Sequence, residues 1–148
     1  MAAFVPNIAK GKVAYYAGLP ATNDAIIAVI FTGSETDANI RDADSLTAVV
    51  ALSVDEATFT GYSRYTVLSN TVTVDDTNDR VDVDAADPVW SPTTAQALTR
   101  IGFFYDPDTT GGTDADLIPL FIDDFAFTTP TSGTITYAVA ASGYFRAA

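Results

Sequence analysis

Carboxylates are the only abundant groups in this chain that could do chemistry, and they fall in two runs. The first is Asp75, Asp76, Asn78, Asp79, Asp82 and Asp84; the second is Asp106, Asp108, Asp114 and Asp116, around Gly111-Gly112. Dense oxygen donors of this kind suit a hard cation such as Ca²⁺. The spacing is not that of an EF-hand, because the turn glycine and the terminal bidentate Glu are both missing. Asp, Asn and Gly are also ordinary turn formers, whose side chains bond nearby backbone N–H groups. Asp75, Asp79, Asp106, Asp108, Asp114 and Asp116 are therefore the candidate Ca²⁺ ligands. Turn chemistry is the stronger reading of both runs, and no metal or cofactor is assigned.

The chain has no cysteine and no histidine. Disulfides and thiolate metal sites are excluded, and so are Ser-His and Cys-His nucleophile pairs. The commonest general base is missing too. A carboxylate pair for glycoside hydrolysis needs no histidine, yet nothing singles out a pair among nineteen acids. The expectation is a protein that is not an enzyme. Tyr62, Tyr65 and Trp90 could stack on sugar rings in a Ca²⁺-dependent carbohydrate-binding module, but aromatics on strands more often belong to a core.

The formal charge of −12 rests on two Lys and five Arg against nineteen acids. Phosphate backbones are bound by cations, so nucleic acid is not an expected partner, and an anionic membrane surface is disfavoured likewise. A basic protein lattice or a hard cation suits this charge better. The longest apolar run, Ala25 to Phe31, has seven residues, against about 20 needed to span a bilayer. The start MAAFVPNIAKGK lacks the basic, apolar and small-residue series of a signal peptide, so synthesis in a cytoplasm without export by that route is expected.

The elements that must position these residues read as strands. Ala25–Phe31 is a continuous apolar, largely β-branched run, the pattern of a fully buried strand. Between Leu68 and Trp90 the period is two: Val72, Val74, Val81 and Val83 point one way, and Thr71, Thr73, Asp82 and Asp84 the other. Asp75-Asp76-Thr77-Asn78-Asp79 breaks the alternation as a turn. Further strands are expected at Thr58–Tyr62, Tyr65–Leu68, Val89–Trp90, Ala97–Tyr105, Leu117–Phe121, Phe125–Thr128, Thr134–Ala140 and Gly143–Arg146. One short helix is expected from Leu46, where Leu46, Val49 and Val50 fall at i, i+3 and i+4 and Asp44 or Ser45 can cap the start. The β-branched Val49-Val50 pair keeps a strand open there.

This predicts an all-β, mainly antiparallel fold: a single β-sandwich or jelly-roll-like domain over residues 21–148, with an N-terminal arm over residues 1–20. The arm mixes Phe4, Val5, Ile8, Val13, Tyr15 and Tyr16 with prolines and glycines. A segment so apolar must be tied down, on its own domain or on a neighbour.

Four blocks carry a family resemblance: Asn7-Ile8-Ala9-Lys10-Gly11-Lys12-Val13; Asp75-Asp76-Thr77-Asn78-Asp79-Arg80; Tyr105 to Asp116, YDPDTTGGTDAD; and Ala140 to Ala147, AASGYFRA. With these blocks in order along nearly its whole length, the chain resembles a family of small structural proteins of tailed bacteriophages. One departure is Phe121-Ile122-Asp123-Asp124-Phe125, where the family pattern carries a His ahead of the Asp-Phe pair. The resemblance implies a virion component, with head decoration as the first choice: a cement protein on the capsid surface that bridges subunits of the major capsid protein lattice, commonly as a homotrimer. It makes residues 1–20 the lattice-contacting arm, with Phe4, Val5, Ile8, Tyr15 and Tyr16 as apolar anchors. A tail or neck appendage is the alternative location.

Overall fold

In the computed structural model, which describes residues 3–147, nine strands and three short α-helices are built around one central sheet. In chain order they are α1 (Val13–Ala17), β1 (Ala25–Phe31), α2 (Asp37–Arg41), α3 (Leu46–Ala51), β2 (Tyr65–Thr66), β3 (Thr71–Asp75), β4 (Arg80–Asp84), β5 (Val89–Trp90), β6 (Ala97–Asp106), β7 (Ile118–Thr128), β8 (Ile135–Thr136) and β9 (Phe145–Ala147). A 3-10 turn at Asn7–Ala9 precedes them. The strands form a four-stranded sheet β2-β1-β6-β7, a three-stranded sheet β3-β4-β9 and a pair β5-β8. Every pairing is antiparallel.

The continuous apolar run of β1 is explained by burial on both faces. Ile26, Ala28 and Ile30 face one core together with Phe103, Val83, Trp90, Ile135 and Tyr144, which the two smaller sheets and α1 help to close. Ala25, Ile27, Val29 and Phe31 face a second core with Phe104, Ile122, Ile40, Leu46 and Val49, covered by α2 and α3. Phe103 is the centre of the first core: its ring stacks on Tyr144 at 4.8 Å and meets Phe121 and Tyr137 edge-on or tilted. In the second core the Phe31 and Phe104 rings can pack over residue 102 because it is glycine. A Cβ there would lie 2.6 Å from the Phe104 ring and 3.1 Å from the Phe31 ring.

Several expectations are corrected. The helix beginning at Leu46 forms, with the Ser45 hydroxyl accepting from the Ala48 amide at 3.2 Å, but it is one of three. The polar stretch 34–44 hides α2, which carries Thr36 as N-cap, Asp37 in its first turn and Arg41 in its last; those charges suit the helix dipole. Thr58–Tyr62 is not a strand. Its backbone is satisfied by side chains instead: the Gln96 carbonyl accepts from the Thr58 and Phe59 amides, both at 2.8 Å, and Thr94 Oγ1 accepts from Thr60. The two strands expected at Leu117–Phe121 and Phe125–Thr128 are one long β7, which starts at Ile118 and runs through Asp123-Asp124. The Tyr137 hydroxyl donates to Asp123 at 2.7 Å, and Asp124 stands opposite Arg100 in the β6–β7 register. Only Ile135–Thr136 of the expected strand Thr134–Ala140 pairs.

The N-terminal segment is not a free arm. The Phe4 amide donates to the Ile122 carbonyl at 2.8 Å and the Ile122 amide to the Phe4 carbonyl at 2.9 Å, so one residue adds to the outer edge of β7. Phe4 is only 6% exposed, and Ala9, Val13 and Ala17 are buried. The guanidinium of Arg41 lies 4.8 Å from the Phe4 ring centroid, within cation–π range. Residues 4–17 therefore belong to the domain assigned to residues 21–148.

Candidate functional site

The β3–β4 hairpin has the register its alternation requires. Val72 pairs with Val83, Val74 with Val81, Thr73 with Asp82 and Thr71 with Asp84. At its tip, Asp75 Oδ1 accepts from the Thr77 and Asn78 amides, and Oδ2 accepts from the Asn78 side chain at 2.7 Å. Arg80 lies between Asp75 and Asp82, 3.1 Å from each, and Arg146 of β9 pairs with Asp82 on the same face. Asp79 takes a positive φ of 50° in the turn, a conformation Asp tolerates better than most residues.

The second acidic run folds a loop by the same means. Asp106 accepts from the Asp108 amide at 3.0 Å, Asp108 from the amide and hydroxyl of Thr110, and Asp116 from the amide and hydroxyl of Thr113. Asp114 is held differently, in a two-bond pair with Arg64 at 2.6 and 2.9 Å. Arg64 also bonds Glu56, which accepts from the Tyr62 hydroxyl at 2.7 Å. This chain of charged bonds ties the loop to the segment before β2.

Of the six candidate Ca²⁺ ligands, Asp75, Asp106, Asp108 and Asp116 accept bonds that shape their own turns, and Asp114 is engaged by Arg64. Among the described residues no group of three or more acidic side chains converges to hold a metal ion. The candidate sugar platform is not presented either. Trp90 is buried with its indole N–H bonded to the Ser63 carbonyl at 2.8 Å, Tyr65 packs on it at 5.6 Å, and Tyr62 is half-buried.

Hydrogen bonds and cations pull these carboxyls below their ordinary range. For Asp75 the chief cause is the Asn78 side chain, for Asp82 and Asp114 it is Arg146 and Arg64, and for Asp108 and Asp116 it is Thr110 and Thr113. A carboxyl more acidic in the folded chain than its unfolded value of 3.8 stabilises the fold while ionised. That contribution is complete above the unfolded value and is lost as pH falls through the folded one. Thermal midpoints followed by circular dichroism should hold level from neutral pH to about 5 and drop below about 4. A midpoint that rises through the acid range would contradict this.

The five candidate lattice anchors separate. Phe4 is buried, and Val5, Ile8 and Tyr16 are half-buried against the first core, with Tyr16 against the Tyr105 ring at 5.6 Å. Only Tyr15, 64% exposed, is presented outward. The other large exposed apolar residues, which the sequence reading did not single out as contacts, are Leu68, Val72, Val74, Val89 and Phe127. Strand alternation marked Val72 and Val74 as sharing a face, but not that the face would extend beyond the core. Compared with protein-family models, curated proteins and solved structures, the chain finds no match in any of the three.

Proposed function

We propose that this chain is a structural protein of a tailed-bacteriophage virion, a head decoration protein that binds the outer capsid lattice and bridges neighbouring subunits. The reading rests on the four sequence blocks, three of which fall on the 3-10 turn and α1, the hairpin tip and the loop after β6. One structural observation carries it further. The carboxylates of Asp75, Asp106, Asp108 and Asp116 are engaged in shaping their turns, while Tyr15, Leu68, Val72 and Val74 leave apolar area outside two closed cores. Apolar area held outward on an acidic scaffold suits binding to another protein better than turnover of a substrate.

In this role the protein contributes buried area across subunit junctions and so stabilises the assembled shell by mass action. The shared core between the central sheet and the smaller ones supports reading the domain as a β-sandwich. A jelly-roll order and a trimeric state belong to the same proposal. Because Phe4 and Ile8 are packed inward, the contact moves from residues 1–20 as a whole to Tyr15 and the exposed hairpin. Electrophoresis of purified particles tests the reading. A band in large excess over tail components and comparable to the major capsid protein is expected; tail-like stoichiometry would shift the location to a tail or neck appendage, and absence from particles would overturn the proposal.

A further inference from the structure

β3 is the least guarded strand edge among the described residues. Natural sheets blunt their edges by shortness, proline, bulges, charged side chains or cover from another segment. β2, β5 and β8 are two residues long and β9 is three. β7 carries Pro119, Asp123 and Asp124, its register with β6 is broken by shifts, and Phe4 bridges its outer edge at Ile122. β3 is covered only at its start, where α1 packs on it and Gly18 lies against the Val72 side chain; along Thr73-Val74 it has none of these devices. It lies at the end of its sheet, runs five residues in unbroken register with β4, and makes no backbone hydrogen bond on its other side. Val74 is 66% exposed and Val72 is 37% exposed.

The face below this edge is open as well. A depression of about 410 Å³ is lined by Val74, Val81 and Ala147 together with Asp75, Asp76, Asp79 and Arg80, the Arg80 guanidinium being paired with Asp75 and Asp82. Asp76 and Asp79 take part in no side-chain hydrogen bond or ion pair within the described residues. The edge thus offers unmet backbone groups, an aliphatic floor and two uncompensated negative charges at one end.

We propose that β3 receives an extended segment of another protein as an added antiparallel strand. The segment would place aliphatic residues at alternate positions, which reach the depression, and a Lys or Arg at the end beside the Asp75–Asp79 turn, which reaches Asp76 and Asp79. Backbone bonds would supply affinity, and the aliphatic and cationic positions would supply selectivity. A second copy of this chain fits less well. Antiparallel pairing centred on Thr73 would set Val72 against Val74 of the other copy, but it would also add a second Asp75–Asp79 turn to a chain already at −12. The inference rests on the virion reading only for the identity of the partner, which would then be a lattice subunit.

The test is titration of the full ¹⁵N-labelled chain with a capped peptide of three Lys-Val repeats, with three Glu-Val repeats as control. The Lys-Val peptide should shift the β3 resonances and slow hydrogen exchange at the β3 amides that face away from β4, and added salt should weaken the effect. Val74→Lys places a charge on the exposed edge without touching either core. It should leave the melting temperature unchanged and weaken peptide binding by about tenfold or more. Equal binding of the Glu-Val peptide, shifts confined to another surface, or β3 protection that grows with protein concentration alone would overturn the proposal. Failure of the peptide with the chain present on particles removes this docking mode and leaves the virion reading. Peptide binding by a chain absent from particles does the reverse.

Discussion

A chain lacking residues 3–12 should be severely destabilised, losing about 5–7 kcal/mol if Phe4 dominates as other buried phenylalanines do and its two backbone bonds add about 1 kcal/mol each. The reason is where Phe4 sits. Its ring fills part of the second core beside Ile122 and under Arg41, and its amide and carbonyl both bond Ile122. The deletion also removes Ala9, which is fully buried against the first core. A domain of this size has about 5–15 kcal/mol in all, so the truncated chain should melt far earlier or fail to fold. Phe4→Ala should lose about 3–5 kcal/mol without shortening the chain. Urea unfolding followed by fluorescence checks both. Unchanged stability of the truncation would restore the arm reading, in which residues 1–20 serve only a neighbour. The consequence for particle assays is direct: loss of incorporation by this truncation would report unfolding rather than loss of a contact.

Arg100→Met should cost about 3 kcal/mol, toward the lower end of what breaking a buried ion pair costs. Arg100 is 1% exposed, projects from β6 into the second core, donates to the Glu35 carbonyl at 2.9 Å and pairs with Asp37 at 2.9 Å. It thereby holds the segment leading into α2 against the central sheet. Methionine keeps much of the bulk and removes the charge, leaving the Glu35 carbonyl unmet and Asp37 without its cation. Asp37 retains some access to water, which is why the upper end of the range is not expected. The cost should fall mainly on the helical cover. Hydrogen exchange should therefore quicken in α2 and in residues 33–36 before it quickens in β1. A loss below about 0.5 kcal/mol, the size of a surface substitution, would contradict the bracing role.

How much of this could be read from the chain depends on whether the cause was local. β1 was legible because burial on both faces leaves a continuous apolar run. The β3–β4 hairpin was legible because valines alternate with polar residues on either side of a run of turn formers, although of its four alternating valines only Val83 is buried, and α3 because Ser45 caps it three residues ahead of the amide it serves. The acidic turns were legible for the same reason: Asp75, Asp108 and Asp116 bond groups within three residues of themselves. Thr58–Tyr62 was not, since the acceptor that releases it from a sheet is Gln96, far along the chain. Nor was the continuity of β7 through two aspartates, which rests on partners in β6 and at Tyr137. Where the N-terminal segment is tied down was not legible, because its tie is to Ile122, far along the chain. The exposed edge of β3 was illegible in a similar way. Val72 and Val74 announce a strand face, while strand order decides whether a neighbour covers that edge, and order depends on the return of β9 to the far side of β4.

The central claim is that this chain works by covering a protein lattice, and a reconstruction of the particle tests it most directly. The account predicts density for the chain on the outer shell, spanning subunit junctions, with the β3 edge and its depression against a lattice segment. The chain's absence from the outer shell would contradict it, while attachment through a face that leaves β3 open to solvent would overturn the β3 docking mode alone.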